Sequence, residues 1–252
     1  MSKIIALAGK GGVGKTTVSA LLIRQFAKNG VSPVLAIDAD PNSNLGETLG
    51  LEINKTVGDI REGYMKDPQQ VPSGMDKINY LEMMMNQSLV EEKYFDLLVM
   101  GRQEGQGCYC MVNNILNKFT EELEKNYKYL LVDNEAGMEH LSRRTSGRVD
   151  MLIMVTDYAL RGLRAVKRIK EMLGDLKLDV KDIGLIVNRA PEKLNKNFLK
   201  EADEIGVPII CTIPEDNTLL DFDMERKSFM DLPDDSPSVL KLDELMQNLI
   251  KI

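Results

Sequence analysis

Three cysteines in 252 residues cannot build a disulfide framework, so any that cluster point to metal or redox chemistry. Two do, Cys108 and Cys110. Histidine is scarcer still: the lone His140 sits in Glu139-His140-Leu141, where a surface or capping role suits it better than ligation. No apolar run approaches the roughly 20 residues that span a bilayer. The start MSKIIALAGKGG has neither the long apolar stretch nor the cleavage site of a secretory signal. A cytoplasmic protein without a membrane partner is expected. Positive charge is not in excess either. With 32 Lys and Arg against 39 Asp and Glu the formal charge is −7, which repels phosphate backbones and argues against a nucleic-acid partner. No internal repeat or low-complexity tract stands out, and 43% hydrophobic with 28% charged residues excludes disordered and collagen-like classes.

What is there is a chain long enough to bury on the order of 70–75% of its unfolded surface. Short, nearly continuous apolar segments recur at Ile4–Ala8, Val34–Ile37, Leu97–Met100, Tyr129–Val132, Met151–Val155, Ile183–Val187 and Pro208–Ile213. They read as strands buried on both faces of a parallel sheet. Amphipathic helices are expected between them, over Thr16–Lys28, Val112–Lys125, Arg161–Leu173 and Leu194–Ile205. Strand and helix in alternation imply right-handed crossovers and an α/β fold, a doubly wound, mostly parallel sheet with helices on both faces. One domain over 1–252 is expected, with an irregular insertion around 52–95 where Gly58, Gly63, Pro68, Pro72 and Gly74 break the rhythm. The Met83–Met85 run within it reads as packing or a strand edge. From Ser236 onward, Val239, Leu242, Leu245, Met246 and Leu249 share one helical face, which predicts a docked terminal helix.

The strongest motif is Gly9-Lys10-Gly11-Gly12-Val13-Gly14-Lys15-Thr16-Thr17, which fits G-x-x-x-x-G-K-[ST] between a strand and a helix. Glycines let the backbone curl so that successive N–H groups face phosphate oxygens, and the helix start adds its positive dipole end. Lys15 then meets the β- and γ-phosphates and the Thr16 hydroxyl reaches Mg²⁺. Asp38 and Asp40 close the second strand in Ile37-Asp38-Ala39-Asp40-Pro41, at the sheet edge where ligands bind. Asp38 suits either a contact to a Mg²⁺-bound water or simple strand-end capping. Asp133-Asn134-Glu135-Ala136-Gly137 has the D-x-x-x-G shape of a Walker B strand entering switch II, which suits Asp133 to a Mg²⁺ role through water, the alternative being a plain strand-end turn.

KGGVGKTT, with its early Lys10, resembles the deviant Walker A of the family that holds the Min and Par positioning ATPases and the nitrogenase iron protein. That resemblance implies that Lys10 reaches across a nucleotide-sandwich dimer to the partner's phosphates, and that Asp40 is the switch I aspartate that positions the attacking water. It also implies adenine contacts from Asn188, after one strand, and from the Pro214-Glu215-Asp216 turn after the next.

Cys108-Tyr109-Cys110 follows a strand and precedes a helix, and a helix start favours the thiolate, the form that binds soft or borderline metals. Two thiolates make half of a four-coordinate site. A second copy across a twofold axis would supply the rest, so closing a dimer could assemble the site and opening it could release the metal. The plainer alternatives are two small loop residues or a local redox pair. Cys211, within an expected strand, reads as core.

Taken together, KGGVGKTT, DADP, C-Y-C, DNEAGMEHLSR and the Asn188 and Pro214 turns resemble the nickel-inserting ATPases of carbon monoxide dehydrogenase and acetyl-CoA synthase maturation, the CooC/AcsF type, over nearly the full length. The resemblance implies a nucleotide-dependent homodimer using ATP/ADP and Mg²⁺. It also implies binding of Ni²⁺, or Zn²⁺ in its place, through Cys108 and Cys110 of both subunits, and delivery to a client nickel enzyme. Three other readings remain in view: an electron-donating ATPase like the nitrogenase iron protein, an iron–sulfur-handling ATPase, and a positioning switch of the Min or Par kind.

Overall fold

The computed structural model describes residues 2–102, 110–135, 147–176 and 178–249. The strands are β1 (Lys3–Ala8), β2 (Val34–Ala39), β3 (Val90–Glu91), β4 (Asp96–Val99), β5 (Tyr129–Asn134), β6 (Arg148–Asp157), β7 (Asp179–Asn188) and β8 (Ile209–Thr212). They form one sheet in the order β3-β4-β2-β5-β1-β6-β7-β8. Every neighbouring pair is parallel except β3 with β4. This is the doubly wound, mostly parallel architecture that strand-helix alternation implies. The strand order reverses direction around β1, and the crevice for a ligand opens at the carboxyl ends of strands at such a point.

Alternate residues of each strand feed two cores. Ile5 and Leu7 of β1 face α1 (Lys15–Lys28) and the C-terminal helix, while Ile4, Ala6 and Ala8 face the opposite layer. In the first core Val239, Leu242, Leu245, Met246 and Leu249 are all buried, each worth about 2 kcal/mol on burial. Polar ties hold that helix and the turn before it in place: Gln25 Nε2 donates to Val239 O of the helix at 3.1 Å, and Arg24 Nη2 donates to Asp234 Oδ1 of the turn at 2.8 Å.

The stretch from 52 to 95 carries two regular helices, α3 (Val57–Lys66) and α4 (Lys77–Ser88), after the short α2 (Asn44–Thr48). Its glycines and prolines punctuate the connections and leave the helices intact. Thr56 starts α3 with a reciprocal capping box to Asp59, and Asp76 caps α4 through Ile78 N and Asn79 N. Tyr64, Tyr80, Leu81 and Met85 enter the second core, and Met83 and Met84 pack against it. The methionine run is therefore helical packing. Also on this face are α5 (Cys110–Glu124), α6 (Leu160–Asp175) and α7 (Lys196–Ile205). The chain ends with α8 (Asn217–Met224) and α9 (Pro237–Leu249). No helix among the described residues is long and apolar enough to cross a membrane.

Candidate nucleotide site

The loop from Gly9 to Gly14 leaves the end of β1 and turns into α1. Two of its glycines are indispensable to that path. Gly14 has φ +91°, a region that side-chain-bearing residues rarely adopt, and a β-carbon on Gly9 would collide with the Val155 carbonyl at the end of β6. Gly14 is also the N-cap of α1, with no side-chain cap and no acidic residue in the first turn. The amides that open this helix are thus left for an anion, which the dipole favours there. Lys15 is only 7% exposed. Lys10, Gly11 and Gly12 are exposed, and nothing lies within 4 Å of where β-carbons on the two glycines would be. The front of the loop is open.

Beneath it, Asp133 pairs in register with Leu7 of β1 on one side and Asp38 of β2 on the other. Asp133 is 1% exposed, and among the described residues neither of its carboxylate oxygens has a hydrogen-bond partner in good geometry. Burial raises its carboxyl to about 6, while the nearby Thr16 hydroxyl, the Lys15 charge and the Ser19 hydroxyl favour the ionised form. A buried carboxylate with open lone pairs next to a threonine hydroxyl fits a hydrated divalent cation, because hard cations take oxygen ligands and Mg²⁺ keeps its waters.

Asp38 is fully buried, and both its oxygens are engaged: Oδ1 accepts from Asp40 N at 3.1 Å and Oδ2 from Leu45 N at 2.9 Å. Burial pushes its carboxyl up to about 7. The Asp38 side chain therefore holds the turn that carries Asp40 and starts α2. Asp40 is half-buried and accepts from the Asn42 backbone and side-chain nitrogens, both at 2.9 Å.

Asn188, at the end of β7, lies against the phosphate loop, its Nδ2 donating to Val13 O at 2.9 Å. Pro214 is half-buried in the loop after β8. The Asp216 carboxylate accepts from Thr218 N at 3.0 Å, Ser238 N at 3.0 Å and Ser236 Oγ at 2.5 Å. These bonds hold its pKa down against burial and tie the start of α8 to the start of α9.

The structure thus gathers Lys15, Thr16, Asp38, Asp40, Asp133 and Asn188 at one end of the sheet. Cys108, Gly137 and His140 lie outside the described residues, as does the side chain of Cys110, whose backbone opens α5. Cys211 is half-buried on β8, and burial pushes its thiol up to about 11.

Two features escape a sequence reading. Arg189 follows Asn188 with φ +52° and extends Nη1 to Gly12 O at 3.4 Å; the only sequence signal was its place next to Asn188. A cavity of about 310 Å³ opens beside Thr16, lined by Asn44, Glu47, Asp223, Arg226 and Lys227. Its walls come from distant parts of the chain, so no local pattern marks it.

The family model described as CobQ/CobB/MinD/ParA nucleotide binding domain matches residues 4–229. An uncharacterized ATP-binding protein of Methanocaldococcus jannaschii is 43% identical over 249 residues, 98% of each chain. The carbon monoxide dehydrogenase accessory protein CooC of Rhodospirillum rubrum is 30% identical over 240 residues, which cover 90% of this chain and 89% of that one. Among solved structures, the MinD cell division protein of Aquifex aeolicus superposes with a TM-score of 0.72 at 27% identity, covering 100% of this chain and 98% of that one.

Proposed function

The chain belongs to the CobQ/CobB/MinD/ParA nucleotide binding domain family and is an ATPase, and from that premise we propose that its hydrolytic cycle drives the handling of a metal ion as cargo. The uncapped start of α1 and Lys15 bind the triphosphate. The Thr16 hydroxyl, and Asp133 through water, would hold Mg²⁺, which would supply charge neutralisation at the triphosphate. Asp40, carried on the turn that Asp38 fixes, orients the water that attacks the γ-phosphorus. Lys10, exposed at the open front of the loop, stabilises charge at the site of a second copy of the chain, in the manner of an arginine finger. Asn188 and the turn from Pro214 to Asp216 border the adenine. With the Asp216 carboxylate already bonded, its part there is to hold the turn in place.

The cargo is carried by thiolates. Cys108 falls between β4 and α5 in the sequence and Cys110 is the first residue of α5, and two copies of the chain bring four sulfurs, a complete set for Ni²⁺ or Zn²⁺. The recipient is a client nickel enzyme, carbon monoxide dehydrogenase or acetyl-CoA synthase. The observation that carries this reading is the Cys-x-Cys pair on a P-loop chain that is 30% identical to a carbon monoxide dehydrogenase accessory protein. A second reading, a nucleotide-dependent positioning switch, is favoured by the likeness to MinD.

Metal titration separates the two. Purified protein is titrated with Ni²⁺ and with Zn²⁺, with and without ADP, while thiolate charge-transfer absorption and the dimer fraction are followed. One metal per two chains is expected, lost in Cys108→Ser and in Cys110→Ser. A dimer that forms with ATP yet holds no stoichiometric metal supports the positioning switch. An iron–sulfur spectrum after anaerobic purification moves the protein to the electron-transfer class.

A further inference from the structure

Helix α6 wears its charge the wrong way round. Arg161, Arg164 and Lys167 lie in its first half and Arg168 just past its midpoint, with Arg161 in the first turn, while Glu171 and Asp175 sit towards the other end. A helix macrodipole favours the opposite distribution. All four cations are exposed. Among the described residues none of them takes part in an ion pair, although surface lysines elsewhere do so, Lys200 with Glu204 and Lys241 with Glu244 among them. Lys170 is the exception on this helix, because its Nζ caps the end of α7 at Ile205 O (2.7 Å) and Gly206 O (3.0 Å). On a chain whose net charge is −7, these four cations, without an ion pair among the described residues, lie within about two helical turns and make a local positive patch open to an external counter-charge.

A groove beside the stripe has a shape and a charge. A cavity of about 360 Å³ lies between α6 and α7, lined on one wall by Arg164 and Lys167 and on the other by Asn197, Lys200, Glu201 and Glu204. We propose that this stripe and groove form the docking surface for an acidic segment of a partner protein. Its carboxylates pair with Arg161, Arg164, Lys167 and Arg168, and an occasional cation faces Glu201, since Glu204 already pairs with Lys200. Glu201 on the far wall decides the class of partner. A phosphate backbone or an anionic bilayer, uniformly negative, meets it with repulsion, whereas a protein segment of mixed charge satisfies both walls. The groove also lacks aromatic side chains on which bases could stack.

The surface is close to the nucleotide. A β-carbon on Gly162 would collide with Thr156 Oγ1 and would lie 2.5 Å from Asp157 Oδ1, so α6 starts hard against the end of β6. One residue earlier on that strand, the Val155 carbonyl abuts Gly9 of the phosphate loop. A partner seated on α6 thus rests on an element packed, through the end of β6, against the phosphate loop. The proposal is independent of the metal reading and holds equally for a positioning switch.

The test uses the full chain and a labelled Glu-rich helical peptide, followed by fluorescence anisotropy at low and physiological salt. Duplex DNA and phosphatidylglycerol vesicles serve as the other arms. The triple variant Arg164→Glu/Lys167→Glu/Arg168→Glu is expected to bind the peptide at least about tenfold more weakly. The control Lys55→Glu/Lys118→Glu/Lys125→Glu, with the same change in net charge at exposed sites elsewhere, stays within about twofold of the unmodified chain. Melting should be no lower in the stripe variant than in the unmodified chain and basal ATP hydrolysis should match in all three proteins, and the neutral triple variant to Gln, expected to lose binding as well, replaces the Glu variant if that one misfolds. Absent binding by the unmodified chain, equal loss in both variants, or tighter stripe-dependent binding of DNA or vesicles overturns the proposal.

Discussion

Asn188 seals the back of the phosphate loop at Gly14. Its Nδ2 donates to Val13 O at 2.9 Å, and a β-carbon on residue 14 would collide with that same nitrogen. Gly14→Ala therefore meets two obstacles at once, the collision and a φ of +91°, and the variant should lose nucleotide binding while the rest of the fold persists. Asn188→Ala leaves the Val13 carbonyl without its partner, at a cost of about 1–3 kcal/mol. A lowered melting temperature together with weaker binding of a fluorescent ATP analogue is expected. Normal nucleotide affinity in both variants would show that the loop shape does not depend on this contact.

The two lysines of the loop should separate by ligand and by partner. Lys15 is buried at the start of α1, so Lys15→Ala removes charge-assisted bonds to phosphate and should weaken ATP roughly 100-fold or more. Lys10 is exposed at the front, and Lys10→Ala should bind ATP within about threefold of normal yet lose turnover and nucleotide-linked dimerisation. Equilibrium binding, phosphate release and sedimentation measure the three quantities. Normal turnover in Lys10→Ala would remove the argument for action across a dimer.

Strand positions were legible in the sequence because buried parallel strands leave continuous apolar runs, and the phosphate loop because its glycines and Lys15 form a local pattern. Helices α3 and α4 were hidden, since the pattern of Gly58, Gly63, Pro68 and Pro72 reads as broken while Thr56 and Asp76 cap intact helices within it. The opposition of Asp38 and Asp133 across β2 and β5 depends on sheet order and register, which no local spacing encodes. The triple engagement of Asp216 depends likewise on where α9 docks.

Asp216 joins two helix starts through Thr218 N, Ser236 Oγ and Ser238 N. Asp216→Ala removes all three acceptors and should cost ~1–3 kcal/mol, read as a lower melting temperature. The turn after Pro214 loosens with it, so preference for ATP over GTP should decline. Asp216→Asn keeps one acceptor oxygen for Thr218 N and should recover much of the stability. Unchanged melting in Asp216→Ala would show that the junction is held by packing alone.

The buried carboxyls set a pH dependence whose sign is fixed. Burial raises Asp133 to about 6 and Asp38 to about 7, whereas both titrate near 4 in an unfolded chain. Between those values the folded chain binds more protons than the unfolded one, so stability present below about pH 4 is lost as the pH rises through 6 and 7. Asp150 works in the opposite sense, because Lys181 and Arg148 pull it down to about 2 against burial, but its window lies below about pH 4. The ligand-free protein should accordingly melt at a lower temperature at pH 8 than at pH 5. Mg²⁺ and nucleotide should reverse that order, since a cation favours the ionised carboxylate, and calorimetry in buffers of different ionisation enthalpy should register proton release on binding. Asp133→Asn removes a buried charge whose desolvation outweighs the help it gets from Lys15, Thr16 and Ser19, so the ligand-free variant should melt higher at pH 8 than the unmodified protein, with a flatter pH profile. The same change removes the acceptor for metal-bound water, and Mg²⁺-dependent nucleotide affinity should fall. A variant that melts lower at every pH would mean that Asp133 is a structural anchor, and the case for a cation beside Thr16 would lose its main support.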